Sequence, residues 1–207
     1  MKVRRYLFCL VVTLYLTSCR TIALPENVPL DHIVLITGEK FYGKVDYFKE
    51  GFALSEFYGR IRLTDVNGRK RSFKRKKVLS FNVNGYDYKS YTLNEETKLF
   101  KNGRFLDTEY HIFQDGVQHF LKVISKGTLS HYELEWIDHD NNDLESIGLI
   151  KKTEDNFFIP AENIRSQIAK KAVSDYLSDC PEAQKKIAEK DFKYVFQVVD
   201  FYNKNCN

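Results

Sequence analysis

Along most of this 207-residue chain apolar and polar positions alternate with a period of two, and after Pro160 the period lengthens to that of a helix. His32 to Thr37 is a continuous apolar run. After a turn at Gly38, Phe41, Val45 and Tyr47 share one face of the next strand. Ile61 and Leu63, then Leu79, Phe81 and Val83, repeat the alternation. Further on, Val117, His119, Leu121 and Val123 share a face. Across Lys126-Gly127, Tyr132, Leu134 and Trp136 do the same, with Glu133 and Glu135 opposite. Such strands predict a sheet with one buried and one wet face. The 13 Tyr and 16 Phe suit it, since a ring can cover core and keep an edge in water.

The strands are punctuated by Asn67-Gly68, Asn84-Gly85, Asn102-Gly103 and Asp115-Gly116. These dipeptides accept the positive φ angles of type I′ turns, so each is expected to join two antiparallel strands. Ile164, Ile168, Ala172, Val173 and Tyr176 then form one stripe of a helix over 163–177. Ser178-Asp179-Cys180-Pro181 ends it and starts another, Asp or Ser capping and Pro fitting the first turn. Asp191 is the expected cap of a last amphipathic helix carrying Phe192, Val195, Val199 and Tyr202. The pattern therefore predicts an α+β fold: an antiparallel β-meander or open barrel over 32–160, with C-terminal helices packed on it over 161–207.

The first residues obey a different rule. Lys2, Arg4 and Arg5 precede an uncharged apolar run from Tyr6 to Leu16, the layout of a secretory signal peptide and too short to span a bilayer. Leu16-Thr17-Ser18-Cys19 resembles the bacterial lipobox, a branched residue and two small ones before the Cys that takes lipid. Residues 1–18 are then the leader, and 19–31 the lipidated Cys19 and a Pro-containing tether. The resemblance implies several acyl chains on Cys19 and hence durable attachment to a membrane surface. An ordinary leader cut after Thr21-Ile22-Ala23, giving a soluble periplasmic or secreted protein, is the alternative.

Removing the leader changes the charge. The net +4 loses Lys2, Arg4 and Arg5, leaving 29 of the 32 basic residues against 28 acidic ones, so overall basicity says little about partners. It also sorts the four cysteines: Cys9 leaves with the leader, Cys19 is lipidated, and Cys180 and Cys206 remain as a candidate disulfide in an oxidising space.

Gly38-Glu39-Lys40-Phe41-Tyr42-Gly43-Lys44-Val45, Asn67-Gly68-Arg69-Lys70, Ser178-Asp179-Cys180-Pro181-Glu182 and Phe201-Tyr202-Asn203 together resemble a group of uncharacterised small secreted proteins and lipoproteins of Bacteroidota. The resemblance implies a cell-envelope location and brings no activity with it; an anchored chain is expected at the outer membrane.

Candidate chemistry is sparse. Arg69, Lys70, Arg71, Lys74, Arg75, Lys76 and Lys77 surround Phe73 in a basic run suited to an anionic surface. Its location past a turn equally suits a solvated hairpin guarding a sheet edge. Asp138-His139-Asp140-Asn141-Asn142-Asp143 begins like a calcium loop, but Asp143 stands where Gly belongs and Leu149 where the bidentate Glu belongs. It reads as a polar turn, and no metal site is assigned. His119 and His131 come together if their strands pair suitably across Lys126-Gly127. HExxH, GxSxG, Walker and GxGxxG patterns are absent from the sequence, so no catalytic residue and no cofactor is assigned. The expectation is a non-enzymatic binding or scaffolding module. It meets the membrane through Cys19 and an envelope protein or glycan through its sheet or loops, with no nucleic acid. A small envelope hydrolase, or a subunit of a larger envelope assembly, is the alternative.

Overall fold

A computed structural model describes residues 31–45, 60–93, 109–137, 143–162, 164 and 166–206. The leader, Cys19, the tether before Asp31, Tyr47, Asn102-Gly103 and residues 138–142 of the polar loop lie outside the described residues.

Asp31–Leu35 (β1), Lys40–Val45 (β2), Arg60–Asp65 (β3) and Lys70–Lys74 (β4) are followed by a single 3-10 turn at Arg75–Lys77. Then come Val78–Val83 (β5), Tyr86–Leu93 (β6), Tyr110–His111 (β7), Val117–Ser125 (β8), Leu129–Ile137 (β9), Leu144–Lys152 (β10) and Phe157–Pro160 (β11). All pair antiparallel in one sheet of order β4-β3-β2-β1-β5-β6-β8-β9-β10-β11-β7, so the fold is α+β with a C-terminal helical region. The sheet then turns back on itself. Leu93 at the end of β6 forms a bridge with Ile112, and the Phe113 N–H donates to the Thr92 carbonyl at 2.9 Å, which returns β7 to β6.

Alternation and curvature together give the sheet two cores on opposite faces. Leu93, Tyr110, Leu121, Tyr132, Leu134, Ile147, Leu149 and Phe158 come from all six strands β6 to β11 and fill the space that these wrap. Ile33, Leu35, Val45, Ile61, Leu63, Val78, Phe81 and Val83 form the other core under β1 to β5. Tyr88 and Phe120 belong to this second core, although their neighbours Leu93 and Leu121 belong to the first. Because successive side chains point to opposite faces, β6 and β8 serve one core with each face. This corrects the expected buried and wet sides. His131 and Glu135, on the supposedly wet side of β9, are 8% and 9% exposed.

Three helices cover the remaining apolar surface: Gln167–Tyr176 (α1), Pro181–Ala188 (α2) and Val195–Asn205 (α3). With Ala161 and Ile164 of the preceding segment, Val173, Leu177, Ala183, Ile187, Val198, Val199 and Tyr202 pack against Leu129, Ile150 and Ile159. Helix α1 begins later than the spacing predicts, because the Ser166 hydroxyl accepts from the Ala169 N–H at 3.2 Å and caps it there. Ile164 is therefore a buried residue ahead of the helix, and Ala169, Val173 and Leu177 carry the buried stripe.

Two expected caps are corrected as well. Cys180 occupies the N-cap of α2 with Pro181 at N1, while Asp179 turns to the Lys152 ammonium (2.8 Å) and the Tyr202 hydroxyl (2.6 Å). Tyr194, not Asp191, is the N-cap of α3. Gln197 Oε1 accepts from the N–H groups of Lys193 (2.7 Å) and Tyr194 (3.1 Å), and Asp191 instead faces Lys186. A disulfide joins Cys180 to Cys206, so the end of α3 is tied to the start of α2.

The turns differ in kind. Asn84-Gly85 has positive φ at both residues (50° and 83°), the type I′ requirement met in full. At Asn67-Gly68 only Gly68 is positive. The Gly68 N–H donates to the Asp65 carbonyl and the Asp65 N–H to the Arg69 carbonyl, a three-residue loop with a bulge. Leu35 to Glu39 repeats that geometry around Gly38. Asp115-Gly116 joins no hairpin, since β7 pairs with β11 and β8 with β6 and β9.

Candidate functional site

On the outer face of β9 and β10 a cleft of about 450 Å³ opens between the sheet and the start of α3. His131 and Glu133 of β9 and Ser146 and Gly148 of β10 form its floor. Ala161, Glu162 and Ile164 form one wall, and Lys193, Tyr194, Val195 and Phe196 form the other. Period-two register puts the floor residues on one face, since Gly148 lies opposite Glu133 and Ile150 opposite His131. A side chain at Gly148 would meet His131 Nε2 at 3.3 Å, so glycine lets the imidazole lie low over β10.

His131 is 8% exposed, and its Nδ1 is buried without a hydrogen-bond partner among the described residues. Burial lowers its pKa, against the pull of Glu133, so the ring is neutral at ordinary pH. Ser125, directly opposite on β8, also has a buried hydroxyl without a partner among the described residues. Buried polar atoms are ordinarily bonded, so this pair marks a polar spot under the cleft. Glu162 is held above the usual carboxylate range by burial and by the charges of Glu145 and Glu133.

Beside the floor, Lys122 Nζ binds Glu133 (3.1 Å) and Glu135 (3.4 Å) and lies over the Tyr86 ring at 4.6 Å. Burial disfavours the charge on Lys122, but the two carboxylates outweigh it and raise the pKa. On the other side Tyr194 and Phe196 stand 59% and 54% exposed, stacked with ring centroids 5.6 Å apart and planes 12° apart. The cleft thus combines the Glu162 carboxyl, a neutral imidazole, one cation at Lys193 and an exposed aromatic platform. Those are the elements that grip a hydroxyl-rich ligand: rings for its apolar face, and carboxyl and imidazole for its hydroxyls.

A larger hollow of 950 Å³ runs along α1, lined by Phe157, Ile159, Tyr176 and Lys171 among others. Its polar lining is largely on the exposed face of α1, where Lys171 is paired with Asp175.

The sequence-derived candidates are distributed as follows. His119 and His131 are not brought together. The register sets Lys122 opposite Glu133, which separates them by roughly 17 Å along the strands and turns them to opposite faces. His119 lies opposite Tyr91, and burial followed by the charge of Arg75 lowers its pKa to about 4. The basic run is divided by its own alternation. Arg71 turns to Asp65 (3.3 Å) and lies over the Phe41 ring. Arg75 lies over the Phe120 ring and donates to the Gln118 carbonyl. Lys70, Lys74, Lys76 and Lys77 are exposed, and the Arg69 N–H donates to the Asp65 carboxylate. β4 is the terminal strand of the sheet, as an edge guarded by Lys requires.

Glu162, Lys193, Tyr194 and Phe196 escape a reading of the sequence. The available signal was Tyr194 and Phe196, two large aromatics flanking Val195 at the head of a helix whose apolar stripe uses neither. Among the described residues no group of three or more His, Cys, Asp or Glu is arranged to hold a metal ion. No family model, no curated protein and no solved structure matches this chain.

Proposed function

We propose that the protein is an exported, membrane-anchored module of the cell envelope that binds an envelope glycan in the cleft between β9, β10 and α3. The observation that carries the reading is the stacked, exposed Tyr194–Phe196 pair facing His131 and Glu162 across that cleft. The Cys180–Cys206 disulfide supports an oxidising compartment, and the Leu16-Thr17-Ser18-Cys19 lipobox supports attachment through Cys19. The test is titration of purified protein with soluble envelope-glycan fragments by calorimetry. Tyr194→Ala and Phe196→Ala should each weaken binding about fivefold, one stacking contact being worth about 1 kcal/mol. Unchanged affinity in both variants sinks the reading.

One observation favours hydrolysis instead: two carboxyls, Glu162 and Glu133, line the same cleft, and the charge of Glu133 is among the causes that raise the pKa of Glu162. Release of reducing ends from the same fragments, lost in Glu162→Gln, would establish it. Anchoring is tested separately by incorporation of a clickable fatty acid, which wild type should show and Cys19→Ala should lack.

A further inference from the structure

The outer face of β2, β3 and β4 carries a charge pattern that neither the glycan cleft nor the basic run explains. The register sets Arg60 opposite Lys74, Arg62 opposite Ser72, Thr64 opposite Lys70 and Lys44 opposite Thr64. Cross-strand partners share a face, so Lys44, Arg60, Arg62, Lys70 and Lys74 stand together, all exposed. At ordinary strand spacings they occupy an area of roughly 10 by 14 Å. Tyr42, 52% exposed, adjoins them with Lys40 over its ring. Among the described residues no carboxylate pairs with these five cations, and the nearby Asp65 is committed to Arg71 and its own turn.

Edge protection accounts for Lys70 and Lys74 on β4. It does not account for Arg60 and Arg62 on β3 or Lys44 on β2, which lie inside the sheet. Nor does it account for Arg60 directly facing Lys74, since like charges in opposed positions destabilise a sheet. Such a surface is stabilised when a multiply anionic partner covers it.

The chain itself indicates which partner. β1 begins at Asp31, which pairs with Gly43 beside Lys44, so the N-terminal segment enters the domain next to this face. The stretch from Cys19 to Asp31 can extend at most about 40 Å. We propose that the outer face of β2, β3 and β4 lies against the phosphate headgroups of an anionic membrane and forms, with the acylated Cys19, a two-part attachment. The proposal rests on the anchored reading for its geometry, and its test is independent of that reading.

Residues 19–207 carrying Cys19→Ala, the chain without its leader and without an acyl anchor, are floated with vesicles of phosphatidylcholine alone or with phosphatidylglycerol added. Association with the anionic vesicles alone, falling as salt is raised, is expected. Arg60→Gln with Arg62→Gln should lower it about 25-fold, at about fivefold per charge. Lys185→Gln with Lys204→Gln, the same charge change on α2 and α3, should leave it within about twofold of the parent. An unchanged melting temperature shows that each variant is folded, and none of the four residues is buried. The proposal is overturned by equal association with both vesicle types, by no association, by equal losses in the two double variants, or by binding to soluble polyphosphate without binding to vesicles. If acyl labelling of wild type fails while anionic vesicles still bind, the anchor falls and the headgroup surface stands.

Discussion

Cutting the bond between Cys180 and Cys206 should release the helical cap's main covalent constraint, and its magnitude follows from where the bond sits. The bond joins the N-cap of α2 to the C-cap of α3 across a sequence separation of 26, enclosing the whole of α2 and α3. Closing a loop of that length removes about 3.5 kcal/mol of chain entropy from the unfolded state. Cys180 is 5% exposed, so a serine there would add a buried hydroxyl to the loss of the cross-link. Cys206→Ala avoids this and leaves the Cys180 thiol as a small buried apolar group. For a domain of this size about 3.5 kcal/mol corresponds to a fall in melting temperature of about 7–14 °C. Thermal unfolding followed by circular dichroism, with and without reductant, checks it. Wild type should melt lower by that amount when reduced, and Cys206→Ala should begin at the lower value and ignore reductant. A shift under about 2 °C, or a variant as stable as oxidised wild type, would refute the reasoning.

Asn203 clamps α3 to β9 by accepting from the Leu129 N–H and donating to the Leu129 carbonyl, both at 2.8 Å. Asn203→Ala should cost about 2 kcal/mol in urea unfolding by leaving both groups unpaired. His119 has its folded pKa lowered, so its neutral form stabilises fully above about pH 6.5, and that contribution is lost as pH falls toward about 4. His119→Gln should therefore flatten the fall in stability across that window by up to about 3 kcal/mol, read from urea midpoints at several pH values. A methyl at Gly43 would lie 2.2 Å from the Thr64 carbonyl oxygen, so Gly43→Ala should part β2 from β3 at a cost of about 3 kcal/mol. Gly85→Ala, in open space at φ +83°, should cost about 1 kcal/mol, and comparing the two melts separates collision from backbone strain.

The sequence was informative where one period dominates. Alternation in Phe81 and Val83 and in Tyr132 and Leu134 announces strands, and the type I′ geometry of Asn84-Gly85 is local chemistry that any context preserves. Leu79 departs from the pattern, 42% exposed, because a register irregularity puts Val78 in the core instead. The two cores were not legible, because Phe120 beside Leu121 looks like a break in alternation until a second sheet region covers the other face. Register was the other gap. The irregularity between Val123 and Ser125 decides that His131 faces Ser125, and no spacing of histidines reveals it. The cleft brings together Glu133, Glu162 and Tyr194, residues from three separate segments whose convergence depends on how α3 lies on the sheet.

Asp31, where the N-terminal segment meets the domain, has a buried carboxylate that accepts from the Val45 N–H (3.0 Å) and the Asn84 N–H (2.9 Å). Its strand lies between β2 and β5, hydrogen-bonded to both. Tension applied through the chain ahead of Asp31 would therefore load both ladders in shear, many bonds sharing the strain at once, where a peripheral strand would peel one bond at a time. An atomic-force pull from the N-terminal end should meet higher resistance than one from the β4 edge.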